Sequence, residues 1–141
     1  MNVYSESLIL KLDSKGNLEW DKTFGGNDND YINSVQQTRD GGYVVAGYTQ
    51  SKTQPQQAVG YEPIRKQSKG TGNSSEAGVF KINSEGILNW ERTLGGSNYN
   101  LANSIQQTED LGYIVAGHTN KYGNNNVLIL KLDSNGELCK Q

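Results

Sequence analysis

The hydrophobic residues of this chain fall in short runs, some alternating with polar residues and some continuous, and Gly, Asn and Asp separate them. Short runs bounded by turn residues predict β-strands, whose successive side chains point to opposite faces. Leu8–Leu12 meets the turn Asp13-Ser14-Lys15-Gly16-Asn17 and then Leu18–Phe24. Ser34–Thr38 leads through Arg39-Asp40-Gly41-Gly42 into Tyr43–Thr49. The faces of these segments differ. Tyr43-Val44-Val45-Ala46-Gly47-Tyr48 is apolar on both faces, which predicts a sheet covered on both sides. In Leu18–Phe24, alternation puts Leu18, Trp20 and Phe24 on one face and Glu19, Asp21 and Thr23 on the other, a half-exposed strand. Ser34-Val35-Gln36-Gln37-Thr38 is the most polar run and suits an innermost strand lining a wet channel.

The pattern repeats. Residues 11–49 align without a gap on 81–119 with 20 identities in 39 positions, and Leu128–Cys139 matches Leu8–Glu19 at 9 of 12. The offsets are 70 and then 50 residues, so the first interval carries about 20 extra. They fall within 50–76, a segment that holds both prolines, Pro55 and Pro63, and is rich in Gln, Ser, Lys and Gly. It reads as a long surface loop grafted onto a 50-residue unit. The same turn glycine stands in all three copies, as Gly16, Gly86 and Gly136. In the hairpin turn Gly41 becomes Leu111, but Gly42 stays as Gly112. The second glycine is therefore the one the turn demands, and a left-handed residue just before the next strand is the expected reason.

Four antiparallel strands per 50 residues, apolar on both central faces, describe a β-propeller blade. The expected fold is all-β: a partial β-propeller of about two and a half four-stranded blades in one repeat domain, 1–141. It divides into a half blade (7–26), a full blade (33–96, with the loop 50–76 inserted) and an incomplete blade (103–141). Propellers close with roughly 4–8 blades, so this chain does not close a ring alone. Three arrangements follow: a segment of a longer propeller, assembly with copies of itself into a ring, or an open stack. The open stack fits poorly, because terminal repeats need polar outer faces and Leu8-Ile9-Leu10 and Leu128-Ile129-Leu130 look like interior strands.

The units resemble the propeller repeats of secreted and surface-anchored bacterial and archaeal proteins, whose copies read roughly NS-x-QQT-x-DGGYIVAG-x-T followed by KLD-x-G-x-x-x-W-x-x-T-x-GG. They are also similar to the tryptophan-docking repeats of quinoprotein propellers: Asp13, Gly16 and Trp20, and Asn83, Gly86 and Trp90, echo that motif with a shorter turn. The resemblance implies that Trp20 and Trp90 pack between blades as a girdle. The third copy departs from it, with Lys140 at the Trp position. It also implies an exported or surface protein. The chain itself opens on Met1-Asn2-Val3-Tyr4-Ser5-Glu6-Ser7, which lacks the features of a signal peptide, so localisation stays open. No quinone-binding residues can be assigned, so the resemblance does not imply a dehydrogenase.

Composition sharpens this picture by exclusion. Leu, Ile, Val and Phe make up 30 of 141 residues, a fraction close to the roughly 20% below which chains are commonly disordered. Disorder also needs a large net charge, and here the charge is −2. The absence of a basic run argues against nucleic acid as a partner. No run of 18 apolar residues is present to span a membrane as a helix. A single Cys, Cys139, forms no internal disulfide, and a single His, His118, builds no histidine metal site.

The remaining chemistry is thin. Asn27-Asp28-Asn29-Asp30 offers clustered oxygens for calcium, but the second copy, Ser97-Asn98-Tyr99-Asn100, has lost both carboxylates, so a solvated loop is the better reading. Asp13-Ser14-Lys15-Gly16 resembles an Asp-box with the wrong spacing and reads as a turn. His118 replaces Tyr48 and has no nucleophile or carboxylate arranged with it in the sequence, so a packed or edge histidine is expected. Gly25-Gly26 and Gly95-Gly96 lack the Lys-Ser/Thr and helix of a phosphate loop. The insertion, with Lys52, Arg65, Lys66 and Lys69 beside Val59, Tyr61 and Ile64, reads as a variable loop, with partner binding the alternative. The expected function is a non-catalytic binding or scaffold module, with no cofactor, no metal and an unidentified protein or glycan partner. The alternatives are part of a propeller enzyme whose active site lies in other blades, and a lectin-like carbohydrate-binding propeller.

Overall fold

Each run that alternation or continuous apolar character marks becomes a strand. A computed structural model describes residues 5–25, 29–51, 74–94, 99–120 and 123–140. Its nine strands are β1 (Ser7–Leu12), β2 (Leu18–Phe24), β3 (Asn29–Gln37), β4 (Tyr43–Ser51), β5 (Ser74–Ile82), β6 (Leu88–Leu94), β7 (Asn100–Gln107), β8 (Tyr113–Thr119) and β9 (Asn126–Leu132). All pairings are antiparallel, and they form three sheets: β1-β2, β3-β4-β5-β6 and β7-β8-β9. The described residues contain no helix, so no helix is long and apolar enough to cross a membrane. Most of the insertion, 52–73, lies outside the described residues.

The sheets pack face to face, with the four-stranded sheet in the middle. Its two apolar faces feed two separate cores. Val45, Phe80 and Ile82 meet Ile9, Trp20 and Phe24 of the first sheet. Val44, Ala46, Ala77 and Val79 meet Ile105, Tyr113, Val115 and Leu132 of the third. This is why Tyr43–Thr49 carries apolar residues on both sides: alternate residues of one strand serve different cores, and Val44, Val45 and Ala46 are all fully buried.

Two features of local geometry correct the sequence reading. Leu18 does not share the face of Trp20 and Phe24. A bulge between Lys11 and Leu12 pairs Leu12 with Leu18 while Lys11 pairs with Trp20. The extra residue reverses the alternation, and Leu18 points away from the middle sheet, 57% exposed. A second bulge, between Ile32 and Ser34, lets β3 pair onward to Asn29↔Gln50, so the strand starts upstream of the polar Ser34–Thr38 run. The equivalent bulge between Ala102 and Ser104 does the same for β7. Both β3 and β7 are edge strands of their sheets.

The hairpin glycine is required for a different reason from the expected one. The left-handed position is residue 41, and its counterpart Leu111 occupies it at φ 66°. Gly42 is instead a close-approach position: a Cβ there would lie 2.4 Å from the Ile82 carbonyl oxygen, and at Gly112 2.3 Å from that of Leu132. Backbone cannot yield as a side chain can, so glycine persists at 42 and 112 while 41 varies.

Candidate functional site

The recurring turn residues position the sheets against one another. Asp13, Asn83 and Asp133 each accept two backbone N–H bonds through Oδ1, from the residues two and four positions on. This closes a short turn and leaves Gly16, Gly86 and Gly136 in the left-handed region at φ 84°, 79° and 78°. The Asp13 segment is thus a turn, and its carboxyl is held below the ordinary range chiefly by the Asn17 side chain.

Trp20 and Trp90 lie across these turns. Trp20 Nε1 donates to the Ser84 carbonyl at 2.8 Å, and its ring covers Gly86, where a Cβ would lie 3.2 Å from the indole. Trp90 covers Gly136 in the same way, with a Cβ there only 2.5 Å from the ring. Each Trp also meets the tyrosine that opens the second hairpin strand of the next sheet edge-on, Trp20 with Tyr43 at 5.9 Å and Trp90 with Tyr113 at 5.6 Å. Arg92 reinforces the second contact. It lies over Trp90 at 5.6 Å, donates to the Asn135 carbonyl at 2.9 Å and pairs with Glu137 at 2.8 Å. No Trp covers Gly16, which has open space around it.

A lysine–aspartate pair also recurs. Lys81 reaches from β5 to the hairpin turn and meets Asp40 at 3.0 Å, and Lys131 meets Asp110 at 2.8 Å. Thr38 and then Lys81 hold the Asp40 carboxyl down at about 2, and Lys131 and Thr108 hold Asp110 well below the ordinary carboxylate range. Lys11, the counterpart in β1, has no such hairpin beside it and pairs with Glu19.

A cavity of about 40 Å³ lies where the first sheet meets the middle one, lined by Ser7, Phe24, Asp30, Ile32, Phe80 and Glu91 among others. That is room for two or three waters. Glu91 is its chemically distinct group. It stands opposite Phe80 in the ladder, on the face that the first sheet covers. Its Oε1 is buried with no hydrogen-bond partner. Burial pushes its carboxyl up to about 8, the nearby Asp30 adds to the rise, and Arg92 opposes it. At neutral pH Glu91 is therefore a neutral acid, able to donate a hydrogen bond into a small, largely apolar space. Alternation alone does not reveal it, because its counterpart Asp21 is exposed. Only the stacking of a sheet on top of Glu91 separates the two.

Of the remaining predicted positions, Gly25 and Asp30 line this cavity, and His118 and Cys139 do not. His118 is exposed on β8, 2.7 Å from Asn103 Nδ2 through its Nδ1. Cys139 is an exposed free thiol. Of the Asn27–Asp30 cluster, Asn27 and Asp28 lie outside the described residues, as do Gly26, Gly95 and Gly96. Among the described residues no three His, Cys, Asp or Glu side chains group to hold a metal, and the cavity lining contains no His, Cys or Lys. No protein-family model matches the chain, and no curated protein is significantly similar to it.

Proposed function

We propose that this chain is a non-catalytic binding or scaffold module, a β-propeller segment of an exported or surface protein. The observation that carries the reading is that one interface is built twice. Trp20 on the Asn83–Gly86 turn and Trp90 on the Asp133–Gly136 turn join consecutive sheets by the same residues at the same positions. Such repetition supports an extended array in which each sheet stabilises the next. Exported or surface placement rests on the resemblance of the repeat alone. The exposed turns and the insertion are where recognition would reside, since loops on a rigid scaffold tolerate change.

The test is a binding screen of the full chain on glycan and peptide arrays, run beside a panel of chromogenic ester, glycoside and phosphate substrates. Binding without turnover supports the module, and selective glycan binding identifies the lectin-like form of it. Turnover that disappears in Glu91→Gln overturns the non-catalytic reading, because Glu91 is the perturbed acid of the one cavity described above.

A further inference from the structure

The first sheet meets the middle one much as the middle sheet meets the third, so matched positions compare directly across the two contacts. Gly78 lies on the face of the middle sheet that the first sheet covers, opposite Gly47 and Thr93 in the ladder. Its counterparts in the other copies are Leu8 and Leu128. Gly47 is required, because a Cβ on it would strike the Tyr31 carbonyl oxygen. Gly78 is not: its φ lies outside the left-handed region, and a Cβ built on it would have nothing within 4 Å. Glycine inside a strand costs stability, and one that neither a turn nor a close backbone approach explains marks a place kept open. At the second contact Leu128 supplies the missing side chain, opposite Gly117 and two residues before Leu130, which packs on the middle sheet.

Gly78 lines the same cavity as Glu91, whose Oε1 is buried with no hydrogen-bond partner. An open strand position and an orphaned acid each work against folding, and here they coincide. The other polar groups of the cavity also change between the contacts. Ser7 matches Ala77, and both carboxyls match amides, Asp30 with Asn100 and Glu91 with Gln141. The cavity is thus opened and made acidic at the first contact alone. Other charged groups surround it. Glu76 stands opposite Thr49 in the row of Asp30, and Glu6 lies beside Gly25. Arg92 adjoins Glu91, and Lys22 of the covering sheet lies against the Gly86 turn. Four carboxyls therefore outnumber two cations.

We infer that this cavity binds the head of a primary ammonium ion, with Glu91 and Asp30 pairing with its charge and Phe24, Ile32 and Phe80 covering the carbon beside it. A cation supplies the orphaned Oε1 with the donor it lacks, whereas an anion would face the Asp30 carboxylate. A bare metal ion fits less well, because three of the walls are apolar and no three acidic, His or Cys side chains group there among the described residues. Room for two or three waters matches methylammonium or ethylammonium. The same head group ends a lysine side chain. Pairing requires Glu91 to ionise, so near neutral pH a proton leaves as the ion enters. The site lies under the first sheet, apart from the turns and insertion where the module would meet a macromolecule, so it goes beyond that reading.

Amide NMR of the full chain at constant ionic strength tests this, with ethylammonium, acetyl-lysine amide, ethanol and potassium titrated in turn. Ethylammonium is expected to shift the amides of Gly78, Phe80 and Glu91 saturably, with a Kd of about 1–5 mM at pH 8, the range open to three non-hydrogen atoms. Binding should weaken about tenfold or more from pH 8 to pH 6, because Glu91 holds its proton up to about 8. Ethanol, which lacks the charge, and potassium, which lacks the carbons, should not saturate the shifts. Glu91→Gln and Gly78→Leu should each weaken binding about tenfold or more. Gly78→Ala covers the case in which the leucine variant does not fold. Its Cβ enters open space, so its thermal midpoint should rise by about 2–4 °C while its affinity falls. Binding of either amine supports the site, and the tighter of the two names the source as a free amine or a lysine side chain. Shifts that never saturate, that potassium reproduces or that survive in Glu91→Gln overturn the inference, as does a Gly78→Ala chain less stable than the wild type. The binding-module reading fails on turnover in the substrate panel, a separate result.

Discussion

Replacing Glu91 by Gln removes an acid that the first sheet covers while keeping its shape. The folded chain holds the Glu91 proton up to about 8, because the carboxyl is buried and Asp30 is close, whereas an unfolded chain releases it near 4.5. Between those values the native state binds the extra proton, so the contribution of Glu91 to stability is greatest below about pH 4.5, falls as pH rises and levels off above about 8. Ser7 and Phe24, which the first sheet contributes to the cavity, bring no charge to offset the ionised form. At about 1.4 kcal/mol per pH unit, that span sets a ceiling of about 5 kcal/mol. Residual solvent contact screens the charge, which brings the expected loss to about 2 kcal/mol. Urea unfolding of both proteins at pH 5, 7 and 9 measures it. The wild type should lose about 2 kcal/mol more than Glu91→Gln between pH 5 and 9. Parallel profiles for the two proteins would refute the burial of this acid under the first sheet.

Other expectations follow from the turns and the tryptophans. Gly42→Ala drives a Cβ onto the Ile82 carbonyl and should cost about 2 kcal/mol or more, whereas Gly41→Ala, in open space at φ 82°, should cost about 1; thermal unfolding ranks the pair. Trp90→Ala strips the cover from Gly136 and the platform under Arg92, with an expected loss of about 2–3 kcal/mol in urea. Asp40 and Asp110 have carboxyls below the ordinary 3.8, so they support folding above that pH and lose this support as pH falls toward about 2. The double variant Asp40→Asn/Asp110→Asn should therefore show a shallower acid-side decline than the wild type.

Much of this architecture was legible because the chain states it more than once. The match of 11–49 to 81–119 located the hairpins and turns, and the two-sided apolar run Tyr43–Tyr48 announced a covered middle sheet. Comparing copies also isolated Gly42 as obligatory, though not why: the clash is with a carbonyl from β5, a strand 40 residues away in the chain. Leu18 escaped because a bulge changes the count on one strand only, and alternation assumes no such extra residue. Glu91 and its cavity were invisible for a related reason. Its strand looks amphipathic and half exposed in both copies, and whether an acid on it meets water depends on which copy has a sheet in front of it. Exposure here is a property of position in the stack, and local sequence does not record that.

Native-state hydrogen exchange of the full chain tests the stacking itself most directly. A middle sheet covered on both faces by separate cores should hold the slowest amides, in Val44–Ala46 of β4 and Val79–Ile82 of β5. The amides of β2 and β9, in sheets that leave one apolar face in water, should exchange faster under conditions where the chain is monomeric. If β1-β2 or β9 proves as slow as β4 and β5, the account of one central sheet held between two flanking ones is contradicted.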